Sequence, residues 1–189
     1  MAKGAGAGAG LFTKFVEPFL KKIKVIAGDV HARGVLGGQV YDMPGMRVTP
    51  EFSYTRRPRA ELAQLRETFN GGVRQDFLKS LDQGALQRAG FSPTEIARIR
   101  AGKVPGRDWS VHHILPLDDG GTNSFDNLVL IRNSPDHQLV TNHQHYVTAD
   151  LPVGDTRTVP WIHYPPGTRV WPPTPTANRP TIVTHPDVP

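Results

Sequence analysis

The apolar positions of this chain fall into blocks with different periods. Leu11, Phe12, Phe15, Val16, Phe19, Leu20 and Ile23 share one helix face, with Lys14, Lys21 and Lys22 elsewhere on the wheel. Pro18 kinks or interrupts that run. The predicted element is a cationic amphipathic helix, docked on the rest of the protein or on a membrane, carrier or partner. Residues 28–55 are rich in Gly, Pro and Val and predict loops and short strands. Residues 58–101 read as helical. Leu62, Leu65 and Phe69 make one stripe, Val73, Phe77, Leu78 and Leu81 a second, and Gly71-Gly72 is predicted to break the run between them. Ser92-Pro93-Thr94-Glu95 is a helix start: Ser92 as N-cap, Pro93 in the first turn, and Glu95 completing a capping box. Ile96 and Ile99 then face inward, and Gly102 stops the helix.

The period changes after residue 103. Val111 to Leu117 predicts a short strand, Asp118-Asp119-Gly120-Gly121-Thr122-Asn123 a loop, and Leu128 to Ile131 a second strand. Ser134-Pro135 opens a helix, with Ser134 as N-cap. Ten prolines fall after residue 150. Extended segments are predicted around Val159-Pro160-Trp161 and Thr168-Arg169-Val170-Trp171, with little regular structure past Pro172. The predicted class is α+β: a small helical subdomain followed by a strand–loop–strand–helix unit. The boundaries are a flexible low-complexity tail at 1–10, helix and loops at 11–55, a basic helical subdomain at 56–102, the mixed unit at 103–150, and a Pro-rich C-terminal extension at 151–189.

Composition narrows the function classes. The 189 residues contain no cysteine, which excludes a disulfide framework, a Cys-based zinc finger and a thiol nucleophile. No apolar run reaches the roughly 18–20 residues of a membrane span, and no Sec-type signal peptide is read at the N-terminus. The net charge of +5 is unevenly spread. Residues 56–107 hold eleven basic and five acidic side chains, whereas residues 108–155 hold seven acidic side chains and one basic, Arg132. The acidic stretch also holds five of the eight histidines: His112, His113, His137, His143 and His145. This pattern suggests a metal or acid–base site beside a polyanion-binding surface.

Adjacent side chains on a strand point to opposite faces, so His112 and His113 have separable roles. One can face a metal held between strand and helix, and the other can face substrate. His137, in the first turn of the following helix, can return to the same metal. Asn127 can hydrogen-bond across the hairpin and fix its loop. The arrangement suits phosphodiester hydrolysis. A divalent cation neutralises a phosphate oxygen, and a neutral imidazole deprotonates the attacking water.

His112-His113, the Gly120-Gly121 loop, Asp126-Asn-Leu-Val-Leu-Ile131 and Pro135-Asp-His137 together resemble the ββα-metal motif of HNH endonucleases. Within that superfamily the stretch is most similar to HNH nuclease domains of colicin-like and other bacterial toxins. The resemblance covers roughly residues 103–150. It implies His112 as first metal ligand, His113 as general base, Asn127 as the middle Asn that orients the base through the loop backbone, and His137 as the helix-borne ligand. Colicin-type members place another His one turn after the helix ligand, where this chain has Thr141. Thr141 lies about 40° from His137 on a regular helix and His143 about 240° round. The third ligand is therefore Thr141, His143 or water. Two imidazoles favour Mg²⁺ or Mn²⁺ over Zn²⁺ or Ni²⁺. Arg98, Arg100, Lys103, Arg107 and Arg132 are the candidate nucleic-acid contacts.

The expected function is a metal-dependent endonuclease that cleaves DNA, in preference to RNA, with little sequence specificity. The resemblance further implies the toxic domain of an antibacterial effector. Such a domain is cytoplasmic in its producer, delivered into the target cell by a contact-dependent route such as type VI secretion, and neutralised by an acidic immunity protein. The alternatives are a housekeeping, phage or restriction HNH endonuclease, and a non-catalytic nucleic-acid-binding module around a structural metal.

Overall fold

The computed structural model describes residues 31–183. The low-complexity segment 1–10 and the amphipathic helix expected at 11–23 lie outside the described residues. Residues 31–55 form a hairpin in place of the loops and short strands expected there: β1 (His31–Leu36) and the 17-residue β2 (Gln39–Thr55). Gly37-Gly38 makes its two-residue turn, with φ of 58° and 77°. Positive φ at both turn positions matches the twist of paired strands, and glycine adopts it without strain.

The basic block folds as α1 (Arg59–Thr68), α2 (Arg74–Ser80), α3 (Gln83–Arg88) and α4 (Pro93–Arg100). Gly71-Gly72 does not break the run. Residues Phe69–Val73 continue from α1 into α2 as a π-helical turn. The expected capping box at α4 is present, with Ser92 and Glu95 bonding each other's backbone N–H groups. Gly102 ends that run with φ 75°.

Strand β3 (Trp109–His113) pairs antiparallel with β4 (Leu128–Arg132), and His112 faces Val129 across the ladder. β3 is shorter than the Val111–Leu117 strand expected from sequence, because the chain turns at Ile114–Pro116 into a 3₁₀ turn at Leu117–Asp119. β4 is buried on both faces. Leu128 and Leu130 join the cluster of Phe77, Leu78, Leu86 and Ile99, whereas Val129 and Ile131 join Ala32, Met43, Leu139 and Trp171. A strand with two covered faces reads as an unbroken apolar run, as Leu-Val-Leu-Ile does.

Ser134 is extended (φ −124°, ψ 132°) and its side chain caps nothing, contrary to expectation. An irregular turn over residues 133–137 delivers the chain into α5 (Gln138–Thr148). The Pro-rich segment supplies β5 (Thr156–His163), β6 (Val170–Trp171) and β7 (Thr181–Ile182). β5 forms an edge of the sheet ordered β1-β2-β5, β7 also pairs with β2, and β6 runs parallel to β4 in the sheet ordered β3-β4-β6. Trp161 and Trp171 are almost wholly buried. No helix among the described residues is long and apolar enough to cross a membrane.

The Pro-rich segment is thus part of the core. Trp171→Ala is expected to cost about 3–5 kcal/mol. Val153→Ala, at an exposed position, should change stability by less than about 0.5 kcal/mol. Urea denaturation of the two variants checks the contrast.

Candidate active site

The pleat of β3 sends its two histidines to opposite faces, as their adjacency requires. His112 points toward α5, where its Nδ1 lies 3.1 Å from His137 Nε2. Burial pushes the His112 pKa down to about 3, aided by the neighbouring charges of His137 and then His113. Burial lowers His137 as well. Both rings are therefore neutral near neutral pH, and neutral imidazole is the form that ligates a metal. Two nitrogens at 2.0–2.1 Å from one ion stand about 3 Å apart, so the observed spacing fits a shared cation. Thr141, one helical turn past His137, has a buried Oγ1 with no hydrogen-bond partner and lines the same cleft. His112, His137 and Thr141 thus fit a divalent ion. Among the described residues, no group of three or more His, Cys, Asp or Glu side chains does so.

His143, the other candidate for the third ligand, is turned away. It is buried against β5, with Nε2 donating to the Pro160 carbonyl at 3.1 Å. His145 is exposed and lines the cleft.

His113 occupies the opposite face. Its Nε2 lies 2.9 Å from Asn123 Oδ1, and its ring centroid is 4.5 Å from that of Phe69. Burial lowers its pKa, and the bond to Asn123 opposes that shift. Asn127 braces the loop that carries Asn123. Its Oδ1 accepts from the Leu115 N–H at 2.8 Å, and its Nδ2 donates to the carbonyls of Leu115 and Thr122 at 2.8 and 2.9 Å. Gly121 completes the turn, since a Cβ there would overlap the Leu115 and Pro116 carbonyl oxygens.

A cleft of about 580 Å³ opens beside His112, His113 and His137. Its cations come from the start of the helical block. Arg56 and Arg66 line it, and Arg98, Arg100, Lys103 and Arg107 do not. Arg98 and Arg100 instead reach backbone carbonyls of Val104 and Lys79. Lys103 and Arg107 are exposed. Arg132 is held 2.6 Å from the buried Asp136 in an ion pair, which engages the side chain expected to hold phosphate.

Sequence reasoning missed Arg56, Arg66 and Asn123, whose roles depend on distant partners. Asp119 is legible in the sequence only as part of the Asp118–Asn123 loop. Asp119 lines the cleft with an unpartnered Oδ1, and burial pushes its pKa up to about 7.

The buried histidines predict an acid-sensitive fold. The His143 pKa is held down at about 4 by burial, against about 6.5 in an unfolded chain. Between those values the unfolded state binds a proton that the folded state rejects. Stability is therefore lost as pH falls from about 6.5 to about 4. Chemical denaturation at pH 7 and pH 4.5 should show wild type losing on the order of 2 kcal/mol more than His143→Gln.

Residues 100–142 match the family described as HNH endonuclease. The chain is 41% identical over 140 residues to the uncharacterized protein YhhZ of Escherichia coli (strain K12). The match covers 74% of this chain and 35% of that protein, so the chain spans about a third of the relative's length. No solved structure gives a significant match. The matched segment contains the β3–β4 hairpin, the Asn127-braced loop and His137, so residues 100–142 of this chain are similar to the HNH endonuclease family over the elements that carry the three histidines.

Proposed function

We propose that this protein is a metal-dependent endonuclease that hydrolyses DNA phosphodiester bonds with little sequence specificity. The observation that carries the reading is the division of labour on β3. His112 meets His137 on one face, His113 meets Asn123 on the other, and all three histidines reach a cleft lined by Arg56 and Arg66. His112 and His137 hold the cation, with Thr141 or water completing its shell. When bound there, a divalent ion supplies charge neutralisation at a phosphate oxygen and at the leaving oxygen.

The remaining work falls to the chain's own residues. Arg56, and Arg66 on leaving its exposed 3.1 Å ion pair with Asp118, attract the phosphate backbone, which gives sequence-tolerant binding that weakens with salt. His113 takes a proton from water as the water oxygen bonds to phosphorus. The P–O3′ bond breaks, leaving a 5′-phosphate and a 3′-hydroxyl that takes its proton from solvent. Mg²⁺ or Mn²⁺ suits two imidazoles and oxygen ligands better than Zn²⁺ or Ni²⁺. A purely structural metal would have no use for His113, and this favours catalysis over a non-catalytic binding module.

We further place the domain in an antibacterial effector, delivered through a contact-dependent secretion system and countered by an acidic immunity protein. The eleven basic side chains of residues 56–107 support a partner of opposite charge. A housekeeping, phage or restriction role is the competing assignment. Expression of the full chain in a bacterial cytoplasm should arrest growth with degraded chromosomal DNA. Normal growth would favour the competing assignment.

Supercoiled plasmid digestion tests the chemistry. Cleavage is expected with Mg²⁺ or Mn²⁺ and none with EDTA. His113→Ala should reduce the rate by at least about 10²-fold with metal affinity retained, whereas His112→Ala should lose both. Undiminished cleavage by His113→Ala contradicts the reading, and cleavage of RNA alone would move the substrate class.

A further inference from the structure

We propose that Asn123 is a positioning residue that fixes His113 as the Nε2–H tautomer, so that Nδ1 is the atom that accepts the proton from water. The inference rests on the reading of His113 as general base and adds the atom and the residue that selects it.

Asn123 lies between two partners: the Leu65 carbonyl oxygen at 2.9 Å and His113 Nε2 at 2.9 Å. A backbone carbonyl only accepts, so the amide nitrogen of Asn123 must face Leu65. Its oxygen then faces the imidazole, and an amide oxygen also only accepts. The hydrogen in the second bond therefore belongs to His113 Nε2. In a neutral imidazole with Nε2 protonated, Nδ1 carries the lone pair. Phe69, packed on the same ring, restricts the rotation that would exchange the two nitrogens.

Both supports come from the helical block. Leu65 lies in α1 and Phe69 opens the π-helical turn that follows it. Leu65 is 58 residues from Asn123 in sequence. The basic helices thus do more than present cations, since they set the protonation pattern of the hairpin's histidine. In the step that follows, a water O–H bond breaks, its proton moves to Nδ1, and the ring becomes an imidazolium while the oxygen bonds to phosphorus.

Two variants separate this role from simple loop bracing. Asn123→Asp keeps an acceptor for Nε2–H but discards the donor to Leu65. Asn123→Ala keeps neither. With the full chain, Mg²⁺ and plasmid, Asn123→Ala should lower kcat by about 10²-fold with KM within about twofold of wild type. Asn123→Asp should recover to within about tenfold of wild type. Long-range ¹H–¹⁵N NMR of the imidazoles, with the His113 signals identified by their loss in His113→Ala, should show the Nε2–H form in wild type and Asn123→Asp. Asn123→Ala should show a tautomer mixture.

Equal loss in both Asn123 variants, or a wild-type His113 protonated at Nδ1, overturns the proposal. So does wild-type kcat in Asn123→Ala while His113→Ala is inactive. Cleavage that survives His113→Ala instead removes the general base itself, and this inference with it.

Discussion

Consecutive side chains leave an extended strand in opposite directions, and at His112-His113 that constraint separates two chemical environments by one peptide bond. One imidazole is buried against α5 beside a second imidazole, and the other lies against the helical block beside an amide. The division holds only while β3 keeps its register. β4 enforces that register through Leu128 and Leu130 on one side and Val129 and Ile131 on the other. A one-residue slip would exchange the faces of both histidines and bury polar ends of β4 in apolar clusters.

The segment after residue 150 belongs to the same arrangement. Trp171, in the strand beside β4, packs in the cluster under α5, close to the turn that carries Asp136 and His137. Arg132 neutralises that carboxylate from the end of β4. A buried charge left alone would cost several kcal/mol, so Arg132 and Asp136 are worth keeping together. Their effect is to fix the irregular turn from which His137 enters the cleft. At the far end of α5, Arg56 donates to the Thr148 carbonyl at 2.6 Å, where a cation suits the helix dipole. The same side chain lines the cleft, so one arginine ties the helix down and contributes positive charge beside the imidazoles.

The parts legible in sequence are those set by neighbours along the chain. The Ser92–Glu95 box, the stop at Gly102, the apolar run of β4 and the opposed histidines all follow from local spacing. Asn127 was legible for the same reason, since its partners Leu115 and Thr122 lie within the hairpin loop. What escaped depends on distant partners. β2 carries Pro44, Gly45 and Pro50 and shows little alternation, yet pairing with β1, β5 and β7 holds it extended. Gly71-Gly72 reads as a break, but the π turn carries the helix through it. Arg132 looked free because Asp136 is reached only once the turn has formed, and Asn123 looked like a turn residue because Leu65 is far away in sequence.

The proposed mechanism puts a cation on one face of β3 and the base on the other. Anomalous diffraction from a crystal soaked in Mn²⁺ tests it directly. One manganese peak is expected within bonding distance of both His112 Nδ1 and His137 Nε2, with His113 and His143 outside its shell. A peak bonded to His143, or at Asp118-Asp119 with nothing between His112 and His137, would contradict it.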